Sequence, residues 1–379
     1  MPMKEDVGFM KMALMLARKG SGMTHPNPMV GAVVVKDGQV VGKGYHRGPG
    51  TPHAEVMALR EAGERSIGST LYVNLEPCNH HGRTPPCTHA ILESRVSRVV
   101  MAMRDPNPHV RGGGAERLRK AGLAIEEGVL QREAAELNRS YLSLVLRGRP
   151  WVTVKMAATA DGKAAAPDGS SRWITGEEAR RAVHRLRREC DAIMVGIGTA
   201  IADDPELTVR MVPLRSANPP LRVVVDSRLR LPEGNRLAKG GFPPVMVVVS
   251  RGHDRERAEL LRKRGVEVVE CGDEEKVDLS ELLRLLGDRG VAHLLVEGGP
   301  ELVGAFFRQG LVDEVLLFLA PRVLGNIRAR DWITGLDIAS LEEALELEWI
   351  EARRAGRDLV LRARPRDGWD PVLQVIRRG

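Results

Sequence analysis

His53-Ala-Glu55, Glu76-Pro77-Cys78 and, after eight intervening residues, Cys87 place one imidazole, two thiols and a carboxylate in a short span of chain. One imidazole and two thiolates fill three corners of a tetrahedral zinc and leave the fourth open to water. Two thiolates also cancel the charge of Zn²⁺, so such a site makes water nucleophilic near neutral pH and still releases the oxygen to an electrophilic carbon. Glu55, two residues from the ligand His53, can lie beside the metal without ligating it and carry a proton from water to a leaving amine. Proline precedes each thiol, at Pro77 and Pro86, which reads as two helix entries whose positive dipole ends favour thiolate.

A structural zinc instead needs a fourth ligand, for which His80, His81 and His89 are near in sequence, and has no use for Glu55. An H-x-E followed by Pro-Cys and a second Cys is the order found in zinc-dependent base deaminases, whose usual spacing is PCxxC. Eight residues separate the two cysteines here.

At 379 residues the chain is long enough for two domains, each with its own core. Four cysteines are too few for a disulfide scaffold; with two assigned to metal, Cys190 and Cys271 read as buried thiols in a reducing cytoplasm. The first residues open a charged amphipathic helix rather than a signal peptide, and no apolar run approaches the ~20 residues of a membrane span. A net charge of +7, from 57 basic and 50 acidic residues, is spread along the chain. It reads first as a solvated arginine-rich surface and second as attraction for phosphorylated substrates. Aromatics are 3% of residues, too few stacking platforms for a nucleic-acid binder.

Around the ligands the pattern alternates: helix 10–18, a hairpin of 30–36 and 40–44 through Lys36-Asp37-Gly38, helix 54–62, strand 70–74, helix 87–94, strand 98–103, helix 115–121 and strand 124–126. This is a three-layer α/β arrangement about a mixed sheet, with ligands converging at strand ends and helix starts. The segment Thr24-His25-Pro26-Asn27-Pro28-Met29-Val30-Gly31, with Pro52 to Glu55, Glu76 to Cys87 and Arg104-Asp105-Pro106-Asn107-Pro108, resembles the RibD family of bifunctional riboflavin biosynthesis enzymes. The resemblance implies a cytidine-deaminase-like fold acting on a diaminopyrimidinone that bears a phosphoribosylamino group. It implies substrate contacts at Asn27, His46, His80, Arg83 and Thr84, with the wide Cys spacing as a family trait; Arg83 stands where the family often has Lys.

Leu146-Arg147-Gly148-Arg149-Pro150 interrupts the pattern, so the expected domains are 1–146 and 150–379, with residues after about 364 as a tail. All five tryptophans follow residue 150, and seven of the ten histidines precede it. The second half reads as strand 152–155, helix 176–188 capped by Thr175, strands 192–196, 222–226 and 245–250, helix 279–286, strand 293–297, helix 301–309 and strand 314–320. Helices between strands imply a mostly parallel sheet with ligands at strand C-termini, where two glycine turns stand: Val195 to Thr199 and Glu297-Gly298-Gly299-Pro300. The second could seat a diphosphate on a helix start, although neither is a full GxGxxG.

Lys155 to Ala158, Asp161-Gly162-Lys163, Ser171 to Thr175, Asp203-Asp204-Pro205, Val225-Asp226-Ser227 and Val296 to Gly299 are similar to the reductase half of the same family, which has a dihydrofolate-reductase-like α/β fold. The similarity implies NADPH contacts at Ala157, Trp173, Thr199, Asp203, Ser227 and the helix start Gly299, Pro300, Glu301, Leu302, Val303, Gly304, Ala305. It implies substrate contacts at Ser171, Arg187, Leu207, Arg210 and Glu297, with Arg187 and Arg210 as phosphate clamps. Lys155 and Asp203 are candidates for polar work near the reacting ribose carbon. Thr159-Ala160 stand where the family commonly has Ser-Leu, and residues after about 365 match nothing in it. A soluble cytoplasmic homo-oligomer with one Zn²⁺ per chain and NADPH, acting on a phosphorylated pyrimidine and binding neither membrane nor nucleic acid, is the expectation.

Overall fold

The computed structural model describes residues 4–82, 85–107 and 113–376. The chain divides into two compact units: residues 1–149 with 370–379, and residues 150–369.

The first unit begins with α1 (Lys4–Ala17), then the hairpin β1 (Gly31–Lys36) and β2 (Gln39–Tyr45), α2 (Ala54–Ala62), β3 (Thr70–Val73), α3 (Cys87–Glu93), β4 (Arg98–Met101), α4 (Gly114–Lys120), β5 (Ala124–Glu127), α5 (Gln131–Leu137) and α6 (Arg139–Arg147). The sheet order is β2-β1-β3-β4-β5; β1 runs antiparallel to both neighbours and β3, β4 and β5 are parallel. β1 is covered on both faces, which is why Ala32-Val33-Val34-Val35 is an unbroken apolar run rather than an alternating one. Asp6, 1% exposed, pins α1 to the sheet through two bonds from Arg98 (2.8 and 2.9 Å) and one from Tyr72 (2.7 Å). The helix starts at Lys4, as the charged opening residues indicated and ahead of the apolar stretch 10–18, and its Asp6 charge is partnered from the strands and need not face water.

The second unit contains β6 (Trp151–Thr159), β7 (Lys163–Ala165), α7 (Glu177–Glu189), β8 (Ala192–Gly196), α8 (Ile197–Asp203), β9 (Leu221–Val225), β10 (Val245–Val249), α9 (Arg255–Lys263), β11 (Glu267–Glu270), α10 (Leu279–Asp288), β12 (His293–Val296), α11 (Pro300–Arg308), β13 (Glu314–Ala320), β14 (Arg330–Asp331), β15 (Leu347–Ala355) and β16 (Asp358–Pro365). Nine strands form one sheet in the order β11-β10-β9-β8-β12-β6-β13-β16-β15, parallel from β11 to β13 and closed by the antiparallel pair β16-β15; β7 and β14 form a separate ribbon. Its central strands are buried on both sides, as a parallel sheet under helices requires. Cys190 and Cys271 are buried and form no disulfide.

Thr175 does not cap α7. The residue before the helix is Gly176, and its N–H is taken by Asp358 Oδ2 at 2.6 Å, a partner 182 residues away. α12 (Pro371–Ile376) returns to the first unit, where it packs on α5 and α6.

Candidate active sites

His53 immediately precedes α2 in extended geometry (φ −70°, ψ 162°), so its ring leaves the helix while Glu55 falls in the first turn. α2 rides close on β2 because Gly42 and Gly44 lack a side chain: a Cβ at either would lie 2.1 Å from the Ala58 or Ala54 carbonyl oxygen. Cys87 opens α3 behind Pro86, as expected. Pro77-Cys78 opens no helix; instead the α3 start serves both thiols, the Cys87 N–H donating to Cys78 Sγ at 3.3 Å and the Thr88 N–H to the Cys78 carbonyl at 3.2 Å. Sulfurs nine positions apart thus share one helix end, an arrangement that no local pattern encodes.

His53 Nδ1 lies 3.1 Å from Cys87 Sγ and 3.5 Å from Cys78 Sγ, and the three donor atoms lie within 4.8 Å of one another. Among the described residues this is the one such donor group; His80, His81 and His89 stand outside it, and His89 faces Glu93 at 3.5 Å on the surface. Glu55 is 3% exposed and its Oε2 has no hydrogen-bond partner. Burial pushes its carboxyl upward against the opposing pull of His53. The Cys78 thiol is drawn down to about 4, first by its bond with Cys87 and against its own burial, while Cys87 is driven up, first by Cys78 and then by burial. Two sulfurs and an imidazole, their donor atoms within 4.8 Å of one another, fit a thiophilic dication. Cys78→Ser is expected to leave the purified chain with substoichiometric zinc by elemental analysis and without deaminase activity, while reductase activity persists.

His46, 3% exposed, meets the His53 ring edge-on at 5.3 Å between centroids, and Asn27 Nδ2 stands 3.2 Å from His46 Nε2. His80 is exposed on the loop after Cys78; Arg83 and Thr84 lie outside the described residues. The loops around this site are held by polar residues that the sequence reading assigned no role. Asn138 accepts the Met29 N–H at 2.8 Å, and Asn74 donates to the Met29 carbonyl at 2.9 Å and accepts the Gly31 N–H at 2.8 Å. Glu76 accepts the N–H groups of Asp105 (3.2 Å) and Ala115 (3.0 Å), and the Tyr141 hydroxyl donates to Asp105 Oδ1 at 2.7 Å. Burial raises Asp105 to about 6. Asn138 and Tyr141 sit on a helical pair absent from the sequence reading; a buried Asn beside apolar Leu137 and Leu142 was the available signal.

In the second unit the C-terminal ends of β8 and β12 lie side by side, tied by the Gly196 N–H to the Gly298 carbonyl (3.0 Å). Gly196 precedes α8 and Gly299 precedes α11, so two helix starts open at one sheet edge; a Cβ on Gly299 would come within 3.0 Å of Thr199 Oγ1. That cradle fits a diphosphate approached by bare backbone. Of the α11 residues, Val303 is 0% exposed in the core and Gly304 packs its α-carbon against the Thr334 carbonyl, while Pro300, Leu302 and Ala305 are half-buried and Glu301 is exposed. Ala157 is half-buried on β6, Trp173 is 61% exposed beneath the Arg180 guanidinium at 4.3 Å, and Ser227 Oγ accepts the Val277 N–H at 3.2 Å.

Arg187 holds Glu297 by two parallel bonds (Nε–Oε1 2.5 Å, Nη2–Oε2 2.7 Å) and donates its third arm to the Thr208 carbonyl at 2.9 Å. Burial alone would raise Glu297; the Arg187 charge overrides it and holds the carboxyl down to about 2. Lys155, half-buried, is lowered by burial, with Glu297 and Asp203 opposing. Ser171 donates to Asp203 at 3.1 Å. Leu207, 2% exposed, belongs to the core at a left-handed φ of 50°. Arg210 is an exposed guanidinium paired with Glu206, and its backbone N–H is received by His184 Nδ1 at 3.1 Å. Burial, then the charges of Arg187 and Arg210, lower His184 to about 4. Between pH ~6.5, the ordinary histidine value, and about 4 the unfolded chain binds a proton that the folded unit refuses, so this contribution to stability is complete above the window and lost as pH falls through it. His184→Gln, which keeps an acceptor for Arg210, is expected to flatten the loss of melting temperature over that interval.

A three-donor site beside a buried unpaired carboxylate, and a parallel sheet with two helix starts at its C-terminal edge, define a metal-dependent hydrolase and a nucleotide-dependent oxidoreductase on one chain. The sequence model of the cytidine and deoxycytidylate deaminase zinc-binding region matches residues 3–103, and that of the RibD C-terminal domain matches residues 150–361. The riboflavin biosynthesis protein RibD of Aquifex aeolicus is 45% identical, with 94% of this chain and 97% of that one covered; that of Escherichia coli is 40% identical, with 94% and 98% covered. Among solved structures, Acinetobacter baumannii RibD superposes with a TM-score of 0.86 at 39% identity, covering 96% of this chain and 99% of that one. The Thermotoga maritima diaminohydroxyphosphoribosylaminopyrimidine deaminase/5-amino-6-(5-phosphoribosylamino)uracil reductase superposes with 0.83 at 34% identity, covering 95% and 99%. The chain belongs to the RibD family. It is a zinc-dependent deaminase and a reductase of riboflavin biosynthesis, for which NADPH is the fitting reductant. Among the described residues, no helix is long and apolar enough to cross a membrane.

Proposed function

We propose that the first unit removes the ring amine of 2,5-diamino-6-(5-phosphoribosylamino)pyrimidin-4(3H)-one through Glu55 at a zinc held by His53, Cys78 and Cys87. The second unit then reduces the ribosyl group to give 5-amino-6-(5-phosphoribitylamino)uracil. The observation that carries the first assignment is the buried Glu55 Oε2, left without a partner beside three converging donors. Zinc in that set supplies a Lewis acid that makes water nucleophilic near neutral pH. Glu55 Oε2 takes the proton from water and returns it to the departing amine, a task for which burial raises its basicity. Asn27 and His46, already facing each other, hold the substrate, and His80 with Arg83 and Thr84 receives its phosphoribosyl end.

In the second unit the diphosphate of the cofactor rests on the backbone N–H groups of Gly299, Glu301 and Leu302 at the start of α11 and on Thr199, with Pro300, Val303, Gly304 and Ala305 shaping that helix start and Ala157, Trp173, Asp203 and Ser227 flanking it. NADPH supplies the hydride for C1′ of the opened sugar. Arg187, committed to Glu297 and Thr208, orients Glu297 toward substrate, and Arg210 is the guanidinium exposed for phosphate. Lys155, beside Glu297 and Asp203, furnishes the proton at the ribose oxygen, with Ser171 and the Leu207 backbone completing the substrate contacts.

The test is single-turnover conversion of the diaminopyrimidinone by zinc-loaded protein with and without NADPH. Ammonia release, followed by NADPH oxidation only once deaminated product exists, supports both halves in order. Absence of ammonia with zinc at full occupancy sinks the deaminase assignment. A cytoplasmic location accompanies this reading, and a homo-oligomer is supported by the edge strand β15, which exposes Trp349 (61%) and Ile350 (42%). Light scattering on Trp349→Asp is expected to report a smaller assembly than wild type.

A further inference from the structure

We propose that the last helix of the chain is a positioning element of the deaminase site, so that deamination requires residues 370–379 while reduction does not. Both family matches stop short of this segment, at residues 103 and 361. Asp370 Oδ1 accepts the Val372 N–H at 2.7 Å and Pro371 fills the first helical position, a strong local start signal for α12. Val372 and Val375, 7% and 4% exposed, lie three residues apart on one helix face, while Leu373 is 45% exposed on another. The buried face packs on α5 and α6.

That helix pair carries the two side chains that hold the loops of the zinc site. Asn138, between α5 and α6, grips both polar groups of Met29, at 2.8 Å (N–H) and 3.1 Å (carbonyl), two residues from Asn27, which faces His46. Tyr141 on α6 donates to Asp105 at 2.7 Å, and the Asp105 N–H donates to Glu76 at 3.2 Å, two residues before Cys78. Removing α12 exposes the back of α5 and α6 to water and slackens both threads. The effect falls on substrate placement rather than on the three metal donors, none of which touches these helices in the contacts above.

Three variants of the full enzyme test this: a stop codon replacing Asp370, Val375→Asp, and Val375→Ile. For the first two the deaminase KM is expected to rise about tenfold with kcat within a factor of ~2, with zinc content and reductase kinetics unchanged. Val375→Ile, which keeps an apolar face, is expected to match wild type. Unchanged deaminase KM in the truncated chain overturns the proposal. So does a joint fall of both activities, which would assign the segment to general stability, or an isoleucine variant as impaired as the aspartate one. If the truncated chain proves insoluble, the two full-length variants decide by the same readings.

Discussion

Glu55→Gln is expected to lower ammonia release by about 10²- to 10⁴-fold while leaving zinc content and the reduction of deaminated substrate intact. Glutamine keeps the size and much of the polarity of the side chain but has no basic oxygen to collect the proton of water. Among the described groups around the three donors none stands ready to replace it: His46 is lowered by burial and by His53 and is engaged with Asn27, and the Cys78 and Cys87 sulfurs belong to the proposed metal set. The single-turnover assay, with ammonia read separately from NADPH oxidation, distinguishes this outcome from a collapse of the unit, which would also release zinc. Retention of wild-type ammonia release in the variant would remove Glu55 from the mechanism and leave the site a structural one.

Glu297→Gln is the second large effect, and it falls on the other unit. Glu297 and Arg187 are 7% and 12% exposed and joined by two bonds, so the substitution leaves a guanidinium in a poorly solvated place without its counter-charge. A broken buried pair of this kind costs about 3–5 kcal/mol. For a unit of this size that is a fall of roughly 10 °C in its unfolding transition. Reductase activity is expected to vanish with it, because Glu297 stands next to Lys155 and links the end of β12 to the Gly298-Gly299 turn. The pH dependence has a defined sign. With its folded value held down to about 2, Glu297 contributes stability that is present above the ordinary carboxylate range and lost as pH falls toward 2; the variant should lack that slope. A double variant, Arg187→Met with Glu297→Leu, is expected to recover much of the melting temperature and none of the activity. That contrast separates the pair's packing from its part in catalysis.

The proposed zinc ligands and proton carrier could be picked out because metal chemistry is written in residue types: only a short menu of side chains binds zinc, and an H-x-E beside two Pro-Cys units draws most of it. The valine-rich strands and most helices were legible by periodicity for a similar reason, since each residue's partner in the pattern lies within a few positions. What escaped was of another kind. The α5 and α6 pair, the α8 start hidden in a glycine turn, and the β15-β16 hairpin are short or exposed, and their stability comes from what they touch. Thr175 looked like a helix cap and lost the role to Asp358. Pro77 looked like a helix entry, yet Cys78 shares the α3 start that belongs to Cys87. Arg187, taken as a phosphate clamp from the family resemblance and its bidentate charge, has its fork filled by Glu297.

By itself, then, the sequence determined the residue types from which the first unit's metal chemistry is read and most of the alternation of helix and strand in both units, because each rests on residue identity or near-neighbour spacing, while NADPH followed only from the resemblance of the second half to its family. The tertiary structure alone decided which charges are free and which are spent, how two distant sulfurs come to share one helix end, and where the last helix goes. Those outcomes depend on burial and on contacts between residues up to 182 positions apart, and the free energy of such contacts has no signature in the local pattern of either partner.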